Sequence, residues 1–149
     1  MNYSMTEKYV LLVEDNPDEV LLAERALNSC GVTAKFVVAR NGQEALDVLF
    51  SSGELAGQDS HKIISVVLLD LNLPMISGLE VLKQMRADGR ARKIPVIVLS
   101  SSMDEKDYDQ CRILGANEYI RKPISFSEFV KVLREVFSRW LENDKSQSA

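Results

Sequence analysis

The chain is short of the side chains that build thiol frameworks and nitrogen-ligated metal sites: it has two cysteines and one histidine in 149 residues. Cys30 and Cys111 are far apart and fall on apolar helical stripes. That suits two buried thiols in a reducing, cytoplasmic compartment rather than a disulfide framework. His61 stands alone in the polar loop from Ser51 to Lys62, with no second His or Cys ligand nearby, and is given no chemical role. No apolar run approaches the ~18 residues of a membrane span. The first residues, Met1 to Lys8, are polar and lack a signal-peptide core. There is no basic run and the net charge is −4, which disfavours nucleic acid as a partner.

What remains suits one ordinary globular domain with a normal core. Its centre is the run Val66-Val67-Leu68-Leu69-Asp70-Leu71-Asn72-Leu73-Pro74. A strand buried on both faces reads as such a continuous apolar run, so Asp70 is expected at the strand's C-terminal end, partly withdrawn from water. A pattern of apolar strand, turn and amphipathic helix occurs five times. The strands are read at Tyr9–Val13, Phe36–Ala39, Ile63–Leu69, Pro95–Leu99 and Glu118–Ile120. Each following helix opens with a capping residue and a Glu three positions on: Asn16/Glu19, Asn41/Glu44, Ser77/Glu80, Ser102/Glu105 and Ser125/Glu128. In that spacing the cap accepts a backbone N–H near the helix start, and the Glu reaches back to the cap's own N–H. Pro17 at the first helical position and Gly31 after the last bound the first helix. The expected fold is α/β, a flavodoxin-like (βα)5 doubly wound sandwich on a five-stranded parallel sheet in the order 2-1-3-4-5. Its body is read as residues 8–141, between a flexible start at 1–7 and a flexible tail at 142–149.

Ligands of such sheets bind beyond the carboxyl ends of the strands. There Glu14 and Asp15 follow strand one and Asp70 ends strand three, while Ser100 ends strand four and Lys122 follows strand five. Each carboxylate pair at ~4 Å costs on the order of 4 kcal/mol at an effective dielectric of 20, more than one lysine offsets. Oxygen ligands of this kind suit Mg²⁺ or Mn²⁺; the plainer alternative is a solvated acidic loop. A carboxylate beside a cation, a hydroxyl and an ammonium is equipped for phosphoryl transfer onto Asp70, with Lys122 and Ser100 serving the phosphoryl oxygens. Pro123 after Lys122 fixes the turn, with a cis bond as one option.

The acidic pair Glu14-Asp15, Asp70 in LLDLNLP, Gly78, IPVIVLS ending at Ser100, and GANEYIRKP containing Lys122 resemble, in order and spacing, the receiver domain of two-component response regulators. The likeness spans Lys8 to Trp140. It implies a phosphoacceptor that catalyses its own phosphorylation and dephosphorylation, not a turnover enzyme on an external substrate. It further implies Asp70 as acceptor from a sensor histidine kinase. Asp15, Asp70 and the backbone carbonyl of Asn72 would be the Mg²⁺ ligands, with Glu14 acting through water. Tyr119 would be an aromatic switch that turns inward as Ser100 moves toward the phosphoryl group, reshaping the face of the fourth helix, fifth strand and fifth helix. Position 100 is Ser where Thr is more usual, and position 14 is Glu where Asp is commoner. Asn72 and Ser102 stand where the family tunes phosphoryl lifetime. The loop before strand three, DLNLP, and the ending Phe137 to Glu142 resemble the small regulators that partner bacterial phytochrome-type histidine kinases. The stretch after Pro123 is just long enough for one helix, so a single-domain regulator working by protein contact is expected. In that helix Phe126, Phe129, Val130, Leu133, Phe137 and Trp140 form one stripe. Val132 and Val136 widen it beyond the usual ~100°, which is read as a homodimer surface built on the fourth helix, fifth strand and fifth helix, the alternative being a broad core helix with a few exposed apolar groups. Three rivals stand beside this reading. A haloacid-dehalogenase-like phosphatase would need an acid at position 72 and its nucleophile on the first strand. A flavin binder would need a phosphate loop where Glu14 to Glu19 is acidic. A pseudo-receiver would never carry phosphate.

Overall fold

The computed structural model describes residues 8–31, 33–50, 63–123 and 125–148, with side chains as far as Leu141. Residues 1–7 and the loop holding His61 lie outside the described residues. Strands and helices alternate: β1 (Tyr9–Val13), α1 (Pro17–Ser29), β2 (Lys35–Ala39), α2 (Gly42–Leu49), β3 (Ile64–Asp70), α3 (Gly78–Ala87), β4 (Val96–Ser100), α4 (Glu105–Ile113), β5 (Glu118–Arg121) and α5 (Phe126–Ser148). The strands form one parallel sheet in the order β2-β1-β3-β4-β5. This is the flavodoxin-like order expected from the sequence.

Alternation along each strand sends side chains to opposite faces. Leu11, Val13, Val67, Leu69, Val96 and Val98 pack beneath α2, α3 and α4 with Leu49, Leu82, Met85 and Cys111. Val10, Leu12, Val66, Leu68, Ile97 and Leu99 face α1 and α5, where they meet Ala23, Leu27, Leu133, Val136 and Phe137. Each buried Val, Leu, Ile, Phe or Met side chain contributes about 1.5–3 kcal/mol through burial. Strands buried on both faces leave their ends as the place where polar groups can gather.

Most helix starts follow the expected chemistry. Asn41 Oδ1 accepts from the Glu44 N–H at 2.8 Å and Ser77 Oγ from the Glu80 N–H at 3.2 Å. The reach-back differs: Glu44 accepts from the Arg40 N–H, one residue before the cap. The start of α4 also differs from the expected Ser102/Glu105 pair. Asp104 is its cap, accepting from the Lys106 N–H, because Ser102 is already engaged: its hydroxyl accepts from the Asp104 N–H and donates to Asp107 Oδ2 at 2.6 Å. No described peptide bond is cis, so the bond before Pro123 is trans.

On the last helix one of the two residues that widen the stripe belongs to the core. Val136 is fully buried with Leu133 and Phe137, and the Trp140 indole packs on the same core while its N–H donates to Glu118 on β5. Phe126, placed in the core-facing stripe, is 69% exposed. Domain packing thus accounts for Val136, while Val132, the other residue that widens the stripe, is half-buried. The helix backbone continues to Ser148, past Leu141, where the sequence reading ends the domain.

Gly78 opens α3 hard against the end of β3. A Cβ there would run into the Asp70 carbonyl oxygen and lie 2.8 Å from Leu71 Cα. Only backbone could give way. Gly78→Ala should therefore cost about 1–3 kcal/mol by overpacking, read as a lower urea midpoint, and should displace Asp70.

Candidate functional site

The site is built where β1 and β3 end side by side. Val13 pairs with Leu69, which brings the residues after each, Glu14 and Asp70, together at one edge. The Glu14 N–H carries the ladder to β2 one step further by donating to the Ala39 carbonyl at 2.9 Å. Its side chain is therefore held inward, 2% exposed, while Asp15 points to solvent. One carboxylate oxygen each from Glu14, Asp15 and Asp70 lies within 4.8 Å of the others. Asp70 is 6% exposed, and its Oδ1 accepts from the Asn72 N–H at 3.1 Å, which fixes the carboxylate's orientation.

Lys122 enters from the far side. Its N–H donates to the Ser100 carbonyl at 2.8 Å, extending the β4–β5 pairing past Arg121. Its ammonium lies 3.0 Å from Glu14 Oε1, 3.3 Å from Asp70 Oδ2 and 2.6 Å from Glu19 Oε1. The ammonium hydrogen-bonds to Glu14 and Asp70 and forms an ion pair with Glu19, so three carboxylates crowd one cation. Burial pulls the Lys122 pKa down, but the hydrogen bond to Glu19 and the charges of Asp70 and Glu14 outweigh it and hold the group above the usual lysine range. Burial pushes the Glu14 carboxyl up to about 7. The Asp70 charge adds to the rise, and Lys122 only partly offsets it. The cluster is thus short of positive charge.

A hard divalent cation fits that deficit. The donors are all carboxylate oxygens, they lie within one ion's reach of each other, and the single ammonium is already shared. Ser100, at the end of the neighbouring strand, is fully buried, and its Oγ accepts from the Ser102 N–H at 3.0 Å. Its proton stays available for donation. Tyr119 is not in the cluster. It lies on β5, half-buried, edge-to-face with Tyr108 of α4 at 5.4 Å between centroids. Its hydroxyl is buried and unpartnered among the described residues.

Glu19 is the site residue that sequence reasoning missed. Its place three after Asn16 assigns it to the helix cap. In the structure the Asn16 N–H donates to Glu14 Oε2 at 3.2 Å, and Asn16 Oδ1 accepts from the Asp18 N–H. With the capping role filled, Glu19 turns to Lys122. The available signal was an acid one helical turn past an acidic pair.

Comparison with known proteins agrees with this geometry. The family model of the response regulator receiver domain matches residues 10–134. The probable methanogenesis regulatory protein FilR2 of Methanothrix harundinacea is 36% identical over 92% of this chain and 86% of its own. The response regulator Rcp1 of Synechocystis sp. is 32% identical over 91% of this chain and 90% of its own. The crystal structure of its Mn²⁺-bound form superposes with a TM-score of 0.82 at 31% identity, covering 91% of this chain and 95% of that one. The phosphorylated cyanobacterial phytochrome response regulator RcpA superposes with a TM-score of 0.85 at 35% identity, covering 93% and 96%. Asp70 ends the third strand and position 72 is Asn, which also separates the chain from the dehalogenase-like pattern. By the order of its strands, its gathered acids and the span of the match, the chain belongs to the response regulator receiver domain family.

Proposed function

We propose that in this receiver domain Asp70 accepts a phosphoryl group from the phosphohistidine of a sensor histidine kinase. One observation carries the reading: a buried Asp70 with an ammonium at 3.3 Å and two further carboxylates within 4.8 Å. Likeness to Rcp1 and to the phytochrome response regulator RcpA supports a phytochrome-type kinase as the partner. Among the described residues no helix is long and apolar enough to cross a membrane, and we place the exchange in the cytoplasm.

In the transfer, an Asp70 carboxylate oxygen forms a bond to phosphorus as the bond from phosphorus to the imidazole nitrogen breaks. The leaving imidazole keeps the electron pair. Glu14, Asp15 and Asp70, with the Asn72 backbone carbonyl, would hold Mg²⁺, or Mn²⁺ in its place. Such an ion supplies positive charge for the phosphoryl oxygens. Lys122 donates to one equatorial oxygen, and the Ser100 hydroxyl is placed to donate to another. The acyl phosphate is later lost to water at the same site.

The output follows from the bonds Ser100 now makes. Its Oγ accepts from the Ser102 N–H, and Ser102 Oγ donates to Asp107 of α4. Movement of Ser100 toward a phosphoryl group releases the first bond and frees the β4–α4 turn. Space then opens for Tyr119 to turn inward and alter the surface of α4, β5 and α5. Incubation with acetyl phosphate and Mg²⁺ should add one phosphate, seen by intact mass and removed by hydroxylamine. No mass gain, or gain without Mg²⁺ at an equal rate, would overturn the reading.

A further inference from the structure

Lys122 has three partners, and two of them have other tasks in the reaction proposed above. Asp70 becomes the acyl phosphate, and Glu14 faces the cation. Glu19 has neither task, and it is the partner held closest, at 2.6 Å against 3.0 and 3.3 Å. It stands in the first turn of α1, behind Pro17 and the Asn16 cap, and the cap's N–H is already taken by Glu14. A phosphoryl group arriving at Asp70 needs donors from an ammonium that already hydrogen-bonds Glu14 and Asp70 and pairs with Glu19. One donor can pass from Asp70 to the phosphoryl oxygens. Any further donor is drawn against the pull of the Glu19 ion pair.

We infer that Glu19 is a positioning residue that holds the Lys122 ammonium toward α1 and thereby slows phosphorylation of Asp70. The inference rests on the phosphoacceptor reading. A contact at 2.6 Å is little screened by salt, unlike the field of a distant surface acid. The restraint therefore bears on the maximal rate of the chemical step more than on the apparent affinity for the phosphodonor.

The test tracks phosphorylation of the full chain by acetyl phosphate with Mg²⁺, as intact mass against time over a range of donor concentrations. It compares wild type, Glu19→Gln and Glu19→Asp. The first variant removes the charge. The second keeps the charge on an arm one methylene shorter, which cannot reach Lys122 at the same distance. Both should be phosphorylated about tenfold faster than wild type, the rate equivalent of one charge-assisted hydrogen bond. The gain should lie in the maximal rate and persist at high salt. Equal or slower rates in Glu19→Gln overturn the inference. A fast Glu19→Gln beside a wild-type-like Glu19→Asp also overturns it, because the field and not the contact would then be responsible. A wild type that takes no phosphate removes the phosphoacceptor reading itself, an outcome distinct from equal labelling of all three proteins.

Discussion

Asp70→Asn is expected to abolish phosphate uptake while leaving the fold intact. The amide is nearly the size of the carboxylate, and its Oδ1 can still accept from the Asn72 N–H, so the turn into α3 keeps its anchor. What is lost is the nucleophilic oxygen. Lys122 keeps Glu14 and Glu19 as partners, so no buried ammonium is orphaned. Intact mass after acetyl phosphate treatment should therefore stay at the unmodified value, with a circular dichroism spectrum like that of wild type. Undiminished labelling would mean that another residue is the acceptor. The same substitution should blunt the response to Mg²⁺. An ion that binds only the folded state stabilises it by about 2.7 kcal/mol at a hundredfold excess over its dissociation constant. Asp70→Asn and Asp15→Asn should each lose most of that increment in thermal melts. The Glu14 carboxyl, relieved of the Asp70 charge that adds to its rise, should move down from about 7, while burial, the larger cause, keeps it raised.

Asp70, Glu14, Asp15 and Lys122 were legible because each stands at or just past the end of a strand, and in a parallel sheet the strands' carboxyl ends share one edge. The burial and closeness of these groups then come from topology alone. Glu19 was not legible in the same way. A capping rule sees four consecutive residues, whereas the contact that matters joins α1 to the residue after β5. The start of α4 slipped for a similar reason. Ser102 and Asp104 are both capping types, and the choice was made by Asp107, which takes the Ser102 hydroxyl. Val136 was misplaced because the width of an apolar stripe does not say how much neighbouring surface exists to cover it. On α5, β1, β3 and β4 together with α1 cover Phe129, Leu133, Val136 and Phe137.

The contact with the least local signal is also the one whose loss should cost most stability. Arg86, in the last turn of α3, donates from Nε and Nη2 to the Gly115 carbonyl at 3.0 and 2.9 Å. It also donates to the carbonyls of Arg92 at 3.0 Å and Ile94 at 2.9 Å, and to Asn117 Oδ1 at 3.0 Å. Asn117 Oδ1 in turn accepts from the Val96 N–H at the first residue of β4. One guanidinium thus ties together the two turns that feed β4 and β5, the strands whose far ends deliver Ser100 and Lys122. Burial lowers its pKa from the ordinary arginine value, yet it stays charged at any physiological pH. Hydrogen bonds to a charged group are worth about 1.5–3 kcal/mol each. Several of these acceptors can turn to water once the side chain is gone, so the terms do not add. Arg86→Ala should lower stability by about 3 kcal/mol in urea unfolding, or roughly 10 °C in melting temperature for a chain of this size. Arg86→Lys should recover little of it, because a point charge cannot span acceptors arranged around a planar fork. Well below its melting temperature, Arg86→Ala should still take phosphate on Asp70, since the hub lies at the opposite rim of the sheet from the acidic cluster. A loss under 1 kcal/mol would show that the two turns hold their shape without Arg86, leaving Asn117 and the strand ladders to set the entry of β4 and β5.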